Sequence, residues 1–215
     1  MTDLIIYGDP RSSYVRTARM TAEEKGVPYA LKPVAPGTEE IKTLHPWGKM
    51  PSMRHGDLHL FETSGICHYL DAAFDGPSLV PADPVALGEM EQWISATIDY
   101  AYATMVQQYL FSYILPKTED GQPDMAAIEA VRPEVRRQVL LYDGALDGRQ
   151  FMCGDALSLA DLFIVPIFFY LKQLPDADQV FAGCDNIAAF GERTAARASF
   201  AATMPAAPEE TAAAE

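Results

Sequence analysis

Short apolar runs and turn residues alternate over the first 75 positions. Leu4-Ile5-Ile6-Tyr7 is a compact apolar run closed by Gly8-Asp9-Pro10, and it reads as a strand. From Ser13 to Lys25, Val15, Ala18 and Ala22 recur on one side and Arg16, Arg19 and Glu23 on another. That is the pattern of an amphipathic helix, with Gly26 as its stop and Lys25 suited to the negative end of its dipole. Pro28–Pro33 reads as a second strand, which predicts a β-α-β unit with parallel strands and a right-handed crossover. A short helix over Thr38–His45 follows. Pro51–Arg54 and Leu58–Phe61, split by His55-Gly56-Asp57, predict a hairpin. A third helix is expected over Gly65–Ala73, with Ile66, Tyr69, Leu70 and Ala73 as its apolar side and Thr63 or Ser64 as its cap. The order β-α-β-α-β-β-α predicts an α/β unit, a mixed four-stranded sheet with helices over it.

Strand periodicity then stops. Residues 1–76 form the expected first domain and 77–84, with prolines at 77, 81 and 84, a linker. Val85 to Leu115 is almost continuously helical, with Met90, Trp93, Ile94, Thr97, Ile98, Ala101 and Met105 at steps of three and four. Met125–Leu146 is a second helical run, bent or interrupted at Pro133. Ser158–Leu171 is a third and Ile187–Thr203 a partial fourth. An all-α helical bundle over 85–203 is the expectation, and 204–215, mostly Ala, Pro, Glu and Thr, reads as a disordered tail.

Composition narrows the function classes. The chain has 215 residues, 49% of them apolar, enough for a sizeable core. Asp and Glu number 30 against 16 Lys and Arg, a formal charge of −14. That balance argues against nucleic acid or an anionic membrane surface as partner. Three widely spaced cysteines, Cys67, Cys153 and Cys184, make no disulfide framework or CxxC pair. The start of the chain lacks the basic and apolar regions of a signal peptide. The longest apolar stretch, Leu162–Leu171, is about half a membrane span. A soluble cytoplasmic protein is expected. The histidines, His45, His55, His59 and His68, are not spaced with cysteines as a zinc set, so no metal site is expected.

Four segments carry candidate chemistry. In Gly48-Lys49-Met50-Pro51, a cis bond before Pro51 would turn the Met50 backbone toward an extended peptide pairing as an added strand; a trans proline would only delimit the strand. Glu62-Thr63-Ser64 lies where a strand hands over to a helix. Free N–H groups and the dipole there favour a carboxylate, the Thr63 hydroxyl can donate to it, and Glu62 can accept from an ammonium. An α-amino acid head group carries that pair of charges; a simple cap with an exposed Glu is the structural alternative. Ser12 and Ser13 open the first helix, where a hydroxyl either caps the end or stabilises a bound thiolate. Ser158 and Asp161 have capping-box spacing, a structural role. Tyr100, Tyr102 and Tyr109 crowd one helix and suggest a groove for a flat apolar molecule.

Taken together these segments resemble the cytosolic glutathione transferase family, from Leu4 to about Phe200. The family's NPxGKVPxL motif is matched by His45-Pro46-Trp47-Gly48-Lys49-Met50-Pro51-Ser52-Met53, with His45 in place of Asn. Its Glu/Gln-Ser pair is matched by Glu62-Thr63, and its GDxxSxAD signature by Gly154, Asp155, Ser158, Ala160 and Asp161. The resemblance implies a thioredoxin-like first domain, a helical second domain and a homodimer. It implies glutathione as co-substrate, with no tightly bound cofactor. Met50 after Lys49 and before a cis-Pro51 would hold the cysteinyl backbone, Lys49 would lie near the glycyl carboxylate, and Glu62 and Thr63 would hold the γ-glutamyl head. Ser12 would stabilise the thiolate for attack on a small hydrophobic electrophile, with Ser13 and Tyr7 as alternatives. The family also includes peroxidases, isomerases, disulfide reductases and non-catalytic members. No class signature matches Gly8-Asp9-Pro10-Arg11.

Overall fold

The computed structural model describes residues 3–115 and 118–206. The strands β1 (Leu4–Tyr7), β2 (Ala30–Lys32), β3 (Ser52–His55) and β4 (Leu58–Phe61) form one sheet in the order β2-β1-β3-β4. β1 pairs parallel to β2, and the other neighbours are antiparallel. The mixed sheet and the β-α-β-α-β-β-α order are as the patterning predicts. The second strand is shorter than the run Pro28–Pro33, because proline has no N–H to give a ladder.

Helices cover both faces. α1 (Ser13–Glu24) and α3 (Thr63–Ala73) lie on one, where Leu4, Ile6, Val15, Ala18, Met53, Ile66 and Leu70 are buried together. α2 (Glu39–Leu44) lies on the other and joins Ile41 to Tyr7 and Val34. α1 is buried on a second side as well. Arg16 and Arg19, expected on a polar face, are both buried. The cause is the helical half, which packs against them.

That half begins with α4 (Pro84–Ala96), capped by Asp83, whose carboxylate accepts from the N–H groups of Val85 and Ala86. The expected single helix to Leu115 is instead a rod in three parts: α4, a wide π-wound segment Thr97–Leu110, and α5 (Phe111–Ile114). The winding changes at Thr97, whose hydroxyl bonds the Trp93 carbonyl and the Tyr142 hydroxyl. α6 (Met125–Ala145) runs through Pro133 without interruption. Pro133 and Glu129 both face solvent, so water can satisfy the carbonyl that proline leaves unpaired. α7 (Leu159–Leu171) is the apolar centre, almost wholly buried. A short α8 (Ala177–Val180), not evident in the pattern, follows. The expected Ile187–Thr203 helix is two: α9 (Asp185–Ala195) and α10 (Ala198–Ala202), broken where Arg197 turns extended. Of the expected disordered tail, Met204 contacts Arg16; residues 207–215 lie outside the described residues.

Two clasps hold the first half, one to the linker and one to the helical half. The Lys25 ammonium, rather than facing solvent at its helix end, is buried against Asp71 (3.2 Å) and the Pro77 carbonyl (3.0 Å). Asp71 also accepts the Leu79 N–H at 2.8 Å. At the other end of the interface Arg197 makes two hydrogen bonds to the Glu24 carboxylate.

Candidate active site

Strand register determines which loops meet. Tyr7, at the end of β1, pairs with Ser52 at the start of β3, and Ser52 pairs with Phe61 at the end of β4. The loop after β1, the residues before β3 and those after β4 therefore leave the sheet at the same end. These are the three segments that hold Ser12, Met50-Pro51 and Glu62-Thr63. The approach is close. The Asp9 N–H points at the Met50 sulfur (3.2 Å), and a Cβ built on Gly8 (φ +145°) would lie 2.5 Å from Val15 Cγ2 and 3.1 Å from Met50 Cβ. Only glycine fits there.

The Met50–Pro51 bond is cis. Lys49 is exposed beside it. Glu62 is the one non-glycine residue with positive φ (+69°) among the described residues, a conformation that costs roughly 1–3 kcal/mol. It, and not Thr63 or Ser64, stands at the N-cap of α3, and its side chain makes no cap bond. The reason is the tight exit from β4: the chain turns at Glu62, whose φ is positive, so the helix begins two residues earlier than the pattern implied. The Glu62 side chain is 63% exposed, while Thr63 is buried. Ile66 N–H makes the first helical bond, to Glu62, leaving the earlier N–H groups of the turn without helical acceptors.

Ser12 is the N-cap of α1. Its oxygen accepts the Val15 N–H at 3.4 Å, which leaves its own hydrogen available to another acceptor. Ser13 is buried, and its carbonyl accepts from Thr17. Tyr7 is buried in β1 with the Lys32 ammonium 5.7 Å from its ring centre. Beside Ser12, the Arg11 guanidinium makes two bonds to Asp9 and the Arg11 backbone N–H a third, and this contact holds the Asp9 carboxyl below the usual carboxylate range.

The tyrosines divide. Tyr109 is fully buried (0%), edge-on to Tyr113, and belongs to the core of the helical half, so it lines no groove. Tyr100 is 67% exposed. Tyr102 stacks on Tyr14, with centroids 4.4 Å apart. Tyr14, two residues past Ser12, was not singled out by the sequence. Its hydroxyl is buried with no hydrogen-bond partner among the described residues, and its pKa is pushed far up by burial, with smaller pushes from Tyr102, Tyr142, Asp99 and Glu62. The signal lay in two aromatics on different elements, which one-dimensional periodicity does not connect. A separate cleft of about 570 Å³ runs between Gln107, Phe111 and Leu115 on one side and Ala127 and Val131 on the other, and holds none of these tyrosines.

Ser158 and Asp161 form the expected cap. The Asp161 carboxylate accepts from Ser158 N–H (2.7 Å), the Ser158 hydroxyl (2.8 Å) and Met152 N–H (2.8 Å).

Both halves match known families: residues 6–78 the glutathione S-transferase N-terminal domain, and residues 101–198 the C-terminal domain. The chain belongs to the glutathione S-transferase family. It is 32% identical over 199 residues to glutathione S-transferase hmp2 of Hypomyces subiculosus (83% of this chain, 91% of the relative). It is 27% identical over 199 residues to a stringent starvation protein A homolog of Pasteurella multocida (92% and 88%). Its fold is that of the glutathione-bound theta class transferase from Xanthomonas axonopodis pv. citri, with a TM-score of 0.83 at 23% identity over 96% of this chain and 99% of that one. Membership supports transfer or binding of glutathione in general terms. Among the described residues, no helix is long and apolar enough to cross a membrane.

Proposed function

We propose that this glutathione transferase family member conjugates the glutathione thiolate to a small hydrophobic electrophile. The observation that carries the reading is the shared end of the sheet, where Ser12, Met50 and Glu62-Thr63 emerge together. Met50 would pair the cysteinyl backbone and Lys49 face the glycyl carboxylate. The Glu62 carboxylate would accept the γ-glutamyl ammonium, and Thr63 with the first turn of α3 would hold its carboxylate. The Ser12 hydroxyl, whose oxygen is already engaged, would donate its hydrogen to the sulfur and favour thiolate over thiol. The electrophile would lie against the Tyr14–Tyr102 stack, with Tyr100 at its open side.

The test is a panel of glutathione with a chlorinated nitroarene, an organic hydroperoxide and a mixed disulfide. Turnover of the nitroarene is the expected result. Turnover of only the hydroperoxide or disulfide would move the chain to a related glutathione chemistry. Binding without turnover is the second reading. It has an observation in its favour: the Pasteurella relative, similar over 92% of this chain, carries a name that is not a transferase's.

We infer further that the protein works as a cytoplasmic homodimer. The support is an exposed aromatic surface next to Glu62, where Trp47 (68% exposed) packs on Phe61 (37%) with centroids 5.8 Å apart. Sedimentation at micromolar concentration giving only monomer would overturn this.

A further inference from the structure

His45 stands where the family motif has asparagine, and its ring is almost wholly buried (2% exposed). It packs between Trp47 and Phe61, with centroids 6.1 and 5.2 Å away. Nδ1 accepts the Trp47 N–H at 3.2 Å. A neutral imidazole has one protonated nitrogen, so the proton is on Nε2. Nε2 lies 3.6 Å from Glu62 Oε1. That is too long for a hydrogen bond but well within electrostatic contact. A buried donor beside the carboxylate thus comes from a residue whose charge can change with pH, and the carboxylate is on the strained Glu62.

We propose that His45 is a positioning residue for Glu62: neutral, it steadies the carboxylate for a ligand's ammonium, and protonated, it claims that carboxylate for itself. The proposal rests on the reading of Glu62 as the head-group acceptor. The geometry gives the direction of the effect. Protonation at Nδ1 would set two donors, the ring N–H and the Trp47 N–H, against each other. It would also make Nε2–H a full cationic partner for Glu62, 3.6 Å away, and put like charge beside the incoming ammonium. The titratable and charged groups facing the ring are Glu62, Lys49 and His59. Burial pushes the imidazole pKa down; Glu62 works against that shift, and Lys49 and His59 add to it. The neutral form is therefore the working one at neutral pH, and acidification is what turns the contact against the ligand.

The test measures glutathione binding to the full chain by calorimetry from about pH 7.5 down to about pH 5, a range that reaches below the ordinary histidine value because burial moves the His45 titration down. In the wild type, affinity should fall at least about threefold on acidification. His45→Asn keeps an acceptor for Trp47 N–H and a neutral donor for Glu62. It should bind within about twofold of wild type at neutral pH and show little change below it. A second measurement needs no variant. If glutathione binds the neutral form, saturating glutathione must move the His45 titration, followed by NMR of its ring nitrogens, to lower pH. A His45→Asn profile that tracks the wild type, or a His45 titration that glutathione leaves in place or raises, overturns the proposal and leaves the Glu62 reading standing. Glutathione affinity unchanged by Glu62→Gln at neutral pH removes the Glu62 reading, and the proposal with it.

Discussion

Ser12 has a hydrogen-bond acceptor in use and a donor free: its oxygen takes the Val15 N–H, and its hydrogen is left for a sulfur. If it serves the thiolate, Ser12→Ala should raise the bound thiol pKa toward the free value of about 8.5, and one to two units cost roughly ten- to a hundredfold in thiolate at neutral pH. The loss should shrink as pH rises and the thiol ionises unaided. Rate–pH profiles of Ser12→Ala, Ser13→Ala and Tyr7→Phe with one electrophile decide it; an unchanged Ser12→Ala profile transfers the role to whichever variant loses its acidic limb. Thr63 is the complementary case. It is buried at the first position of α3. Thr63→Ala should weaken glutathione binding by about 1–2 kcal/mol, the scale of a lost bond to a charged group. Calorimetry showing no change would take Thr63 out of the head-group site.

At the scale of elements, the cap of α7 has a testable sign. Burial pushes the Asp161 carboxyl up from 3.8 to about 6 despite the donors around it. The folded chain therefore holds this proton more tightly than the unfolded one. The linked stability is full below 3.8 and fades as pH rises through about 6. Asp161→Asn cannot titrate, so urea unfolding should show a larger gap between wild type and variant near pH 4 than near pH 7. A gap of constant size would mean that the donors cancel the burial. This cap was legible in the sequence because it is local: N-cap and N3 are three residues apart, and an apolar run follows. The three loops of the site were legible as motifs for the same reason. What was not legible depends on distant partners. Arg16 and Arg19 read as a solvent face until α7 and α10 cover them. Tyr109 read as groove because its burial depends on the helices packed around it, which one-dimensional periodicity does not show. Tyr14 meets Tyr102 only once the halves are docked.

For the molecule as a whole, the join between halves runs through α1. Thr17 bonds Leu162, Arg19 the carbonyls of Ala202 and Thr203, and Glu24 Arg197. Arg16 is the unusual member. It is fully buried, 4.6 Å from the Phe169 ring centre and 5.2 Å from that of Phe200. Its Nη2 lies 3.6 Å from the Met204 sulfur, and its Nε and Nη1 have no hydrogen-bond partner among the described residues. No carboxylate pairs with it among the described residues. Desolvating a cation costs several kcal/mol, and a ring face returns about 2. Arg16→Met should therefore leave the thermal midpoint unchanged or raise it; a loss above about 2 kcal/mol would show that the rings outweigh desolvation. The cost in the finished fold has a counterpart during synthesis. Met204 follows Arg16 by 188 positions, so the sheet and α1 can form while nothing yet covers this side chain. A guanidinium waiting in water is at ease there. A methionine would instead offer other nascent chains an oily surface at the stage when they stick most readily. On this accounting the arginine would cost packing in the completed fold and would spare the unfinished chain an oily face.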